Sequence, residues 1–432
     1  MIDLLLKDFV DRRALERIQL ERLQESLARV YARVPFYQKA FDEKGVKPSD
    51  LKSLADLAKF PFTLKKDLRD SYPFGLLACD MKEISRIHAS SGTTGKPTVV
   101  GYTQNDIDIW AETLCRDLQM GGCTEHDIIQ VAYGYGLFTG GLGAHYGVEK
   151  LGAAVVPAGG GATEKQIMLI KDLGVTAICC TPSFFMHIIE QAAQMGIDLH
   201  DTKLRNGFFG AEPWTDEMRQ VMIERTGIAP HDIYGLSEIM GPGVSGSCEY
   251  NCGLHIFEDH YYPEIIDPDT GEVLPEGVEG ELVFTHLTKT GMPLVRYRTR
   301  DISALHYEKC QCGRTLVRME RVRRRSDDML IIRGVNVFPS QVESVLLTVP
   351  GIEPHYQLVI SREGTLDQME VRVEVNSAVF SDQIGKMEAL RREVSTKIKQ
   401  IIGINAKITL AEPGTIERFA GKGKRVIDQR KK

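Results

Sequence analysis

The segment Ser90-Ser91-Gly92-Thr93-Thr94-Gly95-Lys96-Pro97 packs four hydroxyls, two glycines and a lysine into eight positions. Glycines let backbone N–H groups approach an anion closely and hydroxyls donate further bonds to phosphate oxygens, so the chemistry available here is polyphosphate binding. The segment is not the G-x-x-x-x-G-K-[ST] loop, because Pro97 stands where that loop needs a hydroxyl. Read by itself, the same string also describes a flexible surface turn.

A second group of reactive side chains falls in two clusters, Cys248, Cys252 and His255, then Cys310 and Cys312 before Gly313. Thiolate plus imidazole suits tetrahedral zinc. Cys-x-Cys is tighter than the common C-x₂₋₄-C knuckle, and five ligands compete for four positions, so free thiols are the alternative. Nine cysteines in a chain whose N-terminus, Met1-Ile2-Asp3-Leu4-Leu5-Leu6-Lys7-Asp8, builds no signal-peptide core argue against a disulfide framework. A cytoplasmic location is expected.

These groups need a scaffold. From about residue 80 to 235, apolar runs at Ile128 to Ala132, Ala153 to Pro157, Thr176 to Cys180 and Asn206 to Gly210 alternate with charged segments of helical length, which predicts β-α-β units and a largely parallel sheet. Residues 262 to 305 read as strands joined by turn signals such as Asp267-Pro268-Asp269-Thr270-Gly271, a β-rich subdomain. An amphipathic helix opens the chain through Leu15, Ile18, Leu20, Leu23 and Leu27, with Pro35 as its stop. After Asp328 a fresh strand-and-helix unit begins, so an α/β chain is expected with a large N-terminal domain over 1–327 and a small α+β domain over 328–432. At 432 residues, two domains of about 300 and 100 also fit the size limit of a single core. A net charge of −6 gives no excess of cations for nucleic acid or an anionic membrane, and no run of 18 apolar residues spans a bilayer, so the expected partners are small molecules.

The Ser90–Pro97 segment resembles the phosphate loop of the adenylate-forming enzymes, the family of acyl- and aryl-CoA ligases and luciferases, and further motifs follow in that family's order along nearly the whole chain. Tyr234-Gly235-Leu236-Ser237-Glu238 looks like its Y-G-x-[ST]-E segment; the resemblance implies that Ser237 contacts the α-phosphate and Glu238 holds Mg²⁺, a hard cation that takes oxygen ligands. Gly210-Ala211-Glu212-Pro213 resembles the stretch that lines adenine, and Tyr297-Arg298-Thr299-Arg300-Asp301 the segment whose aspartate takes both ribose hydroxyls. Outside the family, Asp301 reads as a surface aspartate after a strand. Arg325-Ser326-Asp327-Asp328 resembles the G-R-x-D-D hinge, which assigns Arg325 to the nucleotide and Asp327 to the hinge, with Arg324 standing where the family has glycine. Gly421-Lys422-Gly423-Lys424-Arg425 is similar to the G-K-x-x-R segment, so Lys422 is the expected catalytic lysine by register, and Lys424 or a solvated basic tail are the alternatives. Thr94 and Glu238 complete the expected catalytic set, with ATP, Mg²⁺ and CoA as cofactor and co-substrate.

Within the family, Ile331-Ile332-Arg333-Gly334-Val335-Asn336-Val337-Phe338-Pro339-Ser340-Gln341 looks like the phenylacetate–CoA ligase branch. That implies activation of an aryl-acetic acid by ATP and transfer to CoA, with Gly334 leaving room for the pantetheine arm and a homodimer as the assembly. Tyr135 and Phe138, in the run Tyr133-Gly134-Tyr135-Gly136-Leu137-Phe138, are expected to line the aryl pocket, with core packing as the alternative. Lys65 is expected at the acid's carboxylate on charge alone. Relatives carry a similar cysteine and histidine set, which implies Cys248, His255, Cys310 and Cys312 for the zinc with Cys252 spare. A relative that transfers AMP to a deazaflavin coenzyme without CoA is the competing reading.

Overall fold

Asp11 caps the first long helix by accepting from the N–H groups of Arg13 and Ala14, and the helix runs Arg12–Arg33. Pro35 does stop it, but the same residue opens a second helix, Pro35–Lys44, because its fixed φ suits a first helical position. The structure, a computed structural model, describes residues 7–90, 97–326, 330–332, 335–363, 366–380, 384–417 and 425–430.

The expected parallel strands lie side by side as Ala154–Val156, Ile128–Val131, Ala177–Cys180, Asn206–Phe209 and Ala229–Leu236. Ala177–Cys180 and Asn206–Phe209 are buried at every position, as strands covered on both faces must be. Helices Thr139–Leu151, Thr163–Asp172, Pro182–Gln194 and Asp216–Thr226 alternate with them. Ala229–Leu236 then turns antiparallel into Gly241–Gly246, and Leu254–Ile256, Arg318–Met319 and Leu305–His306 extend the same sheet.

The β-rich subdomain is a second antiparallel sheet of Tyr261–Ile266, Gly280–His286, Tyr297–Ser303 and Arg324–Arg325. Its turn signal is explicit, since Asp267 Oδ1 accepts from the N–H groups of Asp269 and Thr270. Beyond it, the antiparallel pair Ile352–Glu363 and Leu366–Val375 carries parallel edges Lys407–Ala411 and Val426–Asp428. Helices Pro339–Leu347 and Ile384–Ile402 pack on this sheet around a core of their own that includes Val342, Leu358, Val371 and Val394. The expected division at 327 lies outside the described residues. Among the described residues, no helix is long and apolar enough to cross a membrane.

Candidate functional site

The parallel strands and the β-rich subdomain meet at a pocket, and the pocket is where the scattered motifs converge. Gly210, Ala211, Glu212, Pro213, Tyr234, Gly235, Asp301 and Arg325 all line it. The Asn206–Phe209 strand ends at Gly210, where a Cβ would stand 2.3 Å from the Ile233 carbonyl oxygen, so only glycine lets the next segment turn over the strand. Ala211 follows at φ 72°, a left-handed conformation that non-glycine residues adopt at a cost of about 1 kcal/mol or more. Glu212 is held by accepting the Ser183 N–H at 2.8 Å. Gly235 is constrained further: a Cβ there would come within 1.7 Å of the Gly241 carbonyl oxygen across the hairpin.

Asp301 sits at the pocket floor, buried, and is met from two sides. The Tyr234 hydroxyl donates to Oδ2 at 2.6 Å and the Arg325 guanidinium donates to Oδ1 at 2.8 Å. Burial and the facing carboxylate push the Tyr234 phenol up, so it stays protonated and remains a donor. The strand carrying Asp301 is set by Glu281, fully buried, which takes Arg298 Nη2 at 2.6 Å and the Arg300 N–H at 3.2 Å. A buried carboxylate with this many donors fixes the strand's register and aims Asp301 inward.

At the far end of the Ala229–Leu236 strand, Ser237 and Glu238 are both buried. The Ser237 hydroxyl lies 3.0 Å from that of Thr139, and the Glu238 carboxylate holds Lys65 Nζ at 3.0 Å. Lys65 therefore stands beside the carboxylate expected to bind a metal. Phe138 precedes the Thr139–Leu151 helix as its N-cap residue, and Tyr135, three positions earlier, places its hydroxyl 3.3 Å from His145 Nδ1. Both rings are partly exposed and stand next to the Thr139–Ser237 pair along the chain. Ser90 closes the strand Ile84–Ser90 opposite Thr98, which frames the phosphate-loop segment. Ser91, Gly92, Thr93, Thr94, Gly95, Lys96, Asp327, Gly334 and Lys422 lie outside the described residues.

Sequence reasoning missed Thr139, Trp214 and Arg321. Trp214 and Arg321 line the pocket and converge on Asp232, which takes Trp214 Nε1 at 2.5 Å and Arg321 Nε at 3.0 Å. Thr139 follows the aromatic run directly, a signal available in the sequence; Arg321 belongs to a string of arginines that carries none.

The sulfur cluster assembles from distant positions. One ligand atom each from Cys248, His255, Cys310 and Cys312 lies within 4.8 Å of the others. Cys248 and Cys310 sulfurs are 3.8 Å apart, the edge expected when two thiolates share a tetrahedral zinc at about 2.3 Å each. His255 Nε2 stands 3.5 Å from Cys312 Sγ, and three of the four residues are buried. Cys252 Sγ is 3.3 Å from Cys310 but the residue is exposed. Burial raises the Cys248 thiol, whereas the His255 hydrogen bond lowers Cys312 against its own burial. Donor type and spacing both fit a zinc ion.

Comparison with known proteins gives the same arrangement. Residues 14–288 match the AMP-binding enzyme family and residues 334–430 the AMP-binding enzyme C-terminal domain. The phenylacetate–coenzyme A ligase of Aromatoleum evansii is 55% identical over 421 residues, 97% of this chain and 95% of that one. Among solved structures, a 2-hydroxyisobutyryl-CoA ligase in its postadenylation state with 2-HIB-AMP superposes at a TM-score of 0.93 with 29% identity, covering 98% of this chain and 91% of that one. The same ligase with 2-HIB-AMP and CoA in the thioesterification state gives 0.72, with 30% identity and coverage of 98% and 91%. With its two matched segments, its near full-length relative and its converging motifs, the chain belongs to the adenylate-forming AMP-binding enzymes.

Proposed function

We propose that the chain joins phenylacetate, or a close aryl-acetic acid, to coenzyme A through an acyl-adenylate, releasing AMP and pyrophosphate. The observation that carries this is the pocket in which Tyr234 and Arg325 fix Asp301 while Ser237 and Glu238 face the same strand end. In this reading Gly210 to Pro213 lie against adenine, and Asp301 accepts from the ribose hydroxyls. The Ser237–Thr139 hydroxyl pair donates toward the α-phosphate, with Ser90 to Lys96 around the remaining phosphates. Lys65, paired with Glu238 at 3.0 Å, would meet the acid's carboxylate beside the phosphates. Glu238 would hold Mg²⁺, which supplies charge neutralisation for the polyphosphate.

Tyr135 and Phe138 present flat faces to an aryl ring, and the acid's carboxylate oxygen attacks the α-phosphorus, with pyrophosphate leaving. Lys422 meets the charge that develops there. Rotation of the 328–432 unit about Asp327 then brings CoA past Gly334, and its thiolate displaces AMP. Cys248, His255, Cys310 and Cys312 would hold a structural zinc that closes the β-rich region. A homodimer in the cytoplasm is the expected assembly and place.

The test is AMP formation by the purified protein with Mg·ATP and phenylacetate, indole-3-acetate, benzoate or acetate, each with and without CoA. Turnover to AMP with an aryl acetate that requires CoA is expected; AMP transfer to another acceptor without CoA would replace this reading.

A further inference from the structure

The turn that carries Ser237 and Glu238 has its carbonyls gathered from behind. Tyr102 donates its hydroxyl to the Ser237 carbonyl at 2.8 Å. Lys289 Nζ donates to the Ile239 carbonyl at 2.7 Å and lies 3.4 Å from that of Glu238. His286 Nε2 reaches the same Ile239 oxygen at 2.6 Å. Since His286 Nδ1 accepts the Leu294 N–H at 2.8 Å, the ring is fixed with its proton on Nε2 and acts as a donor there.

Lys289 is 2% exposed, and a buried ammonium is costly unless charges and donors' partners compensate it. The carboxylates of Asp106 and Glu238 are the charges that face it, and its Nζ lies 4.5 Å from the centre of the Tyr102 ring. Asp106 in turn holds the lysine's own loop, taking the N–H groups of Thr290 at 2.6 Å and Gly291 at 2.9 Å. A Cβ on Gly291 would come within 2.8 Å of Asp106 Oδ2, so the loop is pressed against this carboxylate. A relay of contacts thus runs from Asp106 through the Thr290–Gly291 loop and Lys289 to the backbone that aims Glu238. Burial lowers Lys289 to about 7 against these two carboxylates, and charged or neutral the amine bonds the same carbonyls.

We infer that Lys289 is a positioning residue for the nucleotide-bound divalent cation, acting by fixing the Ser237–Glu238 turn from behind. The inference rests on Glu238 as the cation's ligand. Lys289→Met keeps length and removes both the donors and the charge.

The experiment binds Mn²⁺ with ATP to the protein without acid, read by electron paramagnetic resonance of free Mn²⁺, and then follows the two half-reactions. Lys289→Met is expected to raise the half-saturating Mn²⁺ concentration about tenfold, the usual scale for losing a group behind a metal ligand. Acid-dependent pyrophosphate release should fall in parallel, while thiolysis of supplied phenylacetyl-adenylate by CoA stays within about twofold. Unchanged Mn²⁺ binding, or an equal loss in both half-reactions, overturns the inference. Should the methionine variant not fold, Lys289→Ala, which also removes the donors to the Glu238 and Ile239 carbonyls, carries the same readouts. A wild-type protein without acid-dependent pyrophosphate release would instead overturn the nucleotide reading itself, and this inference with it.

Discussion

Asp301 is the residue on which the nucleotide reading leans hardest, since Tyr234 and Arg325 both spend a hydrogen bond to orient it. Asp301→Ala removes the ribose acceptor and leaves Arg325 facing an empty position. Hydrogen bonds to a charged group contribute about 1.5–3 kcal/mol, so the KM for ATP is expected to rise roughly 10–100-fold, measured by initial pyrophosphate release. A change confined to kcat would move Asp301 away from ground-state ribose binding. Asp301 was legible in the sequence only through its motif, because one aspartate after a strand carries no signal by itself. Lys289 was not legible at all, since its meaning comes from strands that meet only after folding, whereas Thr139 was marked only by its place directly after the aromatic run.

At the scale of elements, the sulfur cluster joins the strand Leu254–Ile256 and the loop before it to the loop before Arg318–Met319, two strands that also pair directly. Elemental analysis of natively purified protein is expected to find about one zinc per chain, and Cys310→Ser to lose it and lower Tm by roughly 5 °C or more. Well under one zinc in the unmodified protein would sink the site. The sheet carries a second testable feature in His231, stacked on Phe208 with ring centroids 5.2 Å apart. Burial and the nearby Arg219 lower His231 to about 4, below the usual 6.5. Above pH 6.5 the ring is neutral in both states and contributes no pH dependence. Between 6.5 and 4 the unfolded chain takes a proton that the folded chain refuses, so stability falls as pH falls, by up to about 1.4 kcal/mol per pH unit. Urea unfolding of His231→Phe against the natural chain should therefore show a stability difference that shifts in favour of the variant from pH 7 to pH 5. A difference independent of pH would contradict it. The parallel strands were readable because apolar runs between charged helices leave few alternatives. The short strands at Leu305–His306 and Arg318–Met319 were not, being two residues long and defined by their partners.

Across the whole molecule, the C-terminal sheet touches the helix Pro182–Gln194 through His355 Nε2 and the Glu190 carboxylate at 2.8 Å. The arrangement superposes better on the postadenylation structure of the 2-hydroxyisobutyryl-CoA ligase, at 0.93, than on its thioesterification structure, at 0.72. A partly buried pair contributes about 1 kcal/mol, so Glu190→Ala should shift the ratio of thioester-forming to adenylate-forming rates by roughly fivefold toward the former. An unchanged ratio in single-turnover measurements of each half-reaction would leave the contact without a role in the cycle. The overall plan was visible in the order of motifs along the chain, whereas the contacts between its parts were not, because they join residues 165 positions apart. The central claim is that the acid's own oxygen ends up on AMP. With phenylacetate labelled by ¹⁸O in both carboxylate positions, Mg·ATP and CoA, mass spectrometry should find one label in AMP and one in the thioester. AMP formed without label, or label in pyrophosphate, would contradict an acyl-adenylate route.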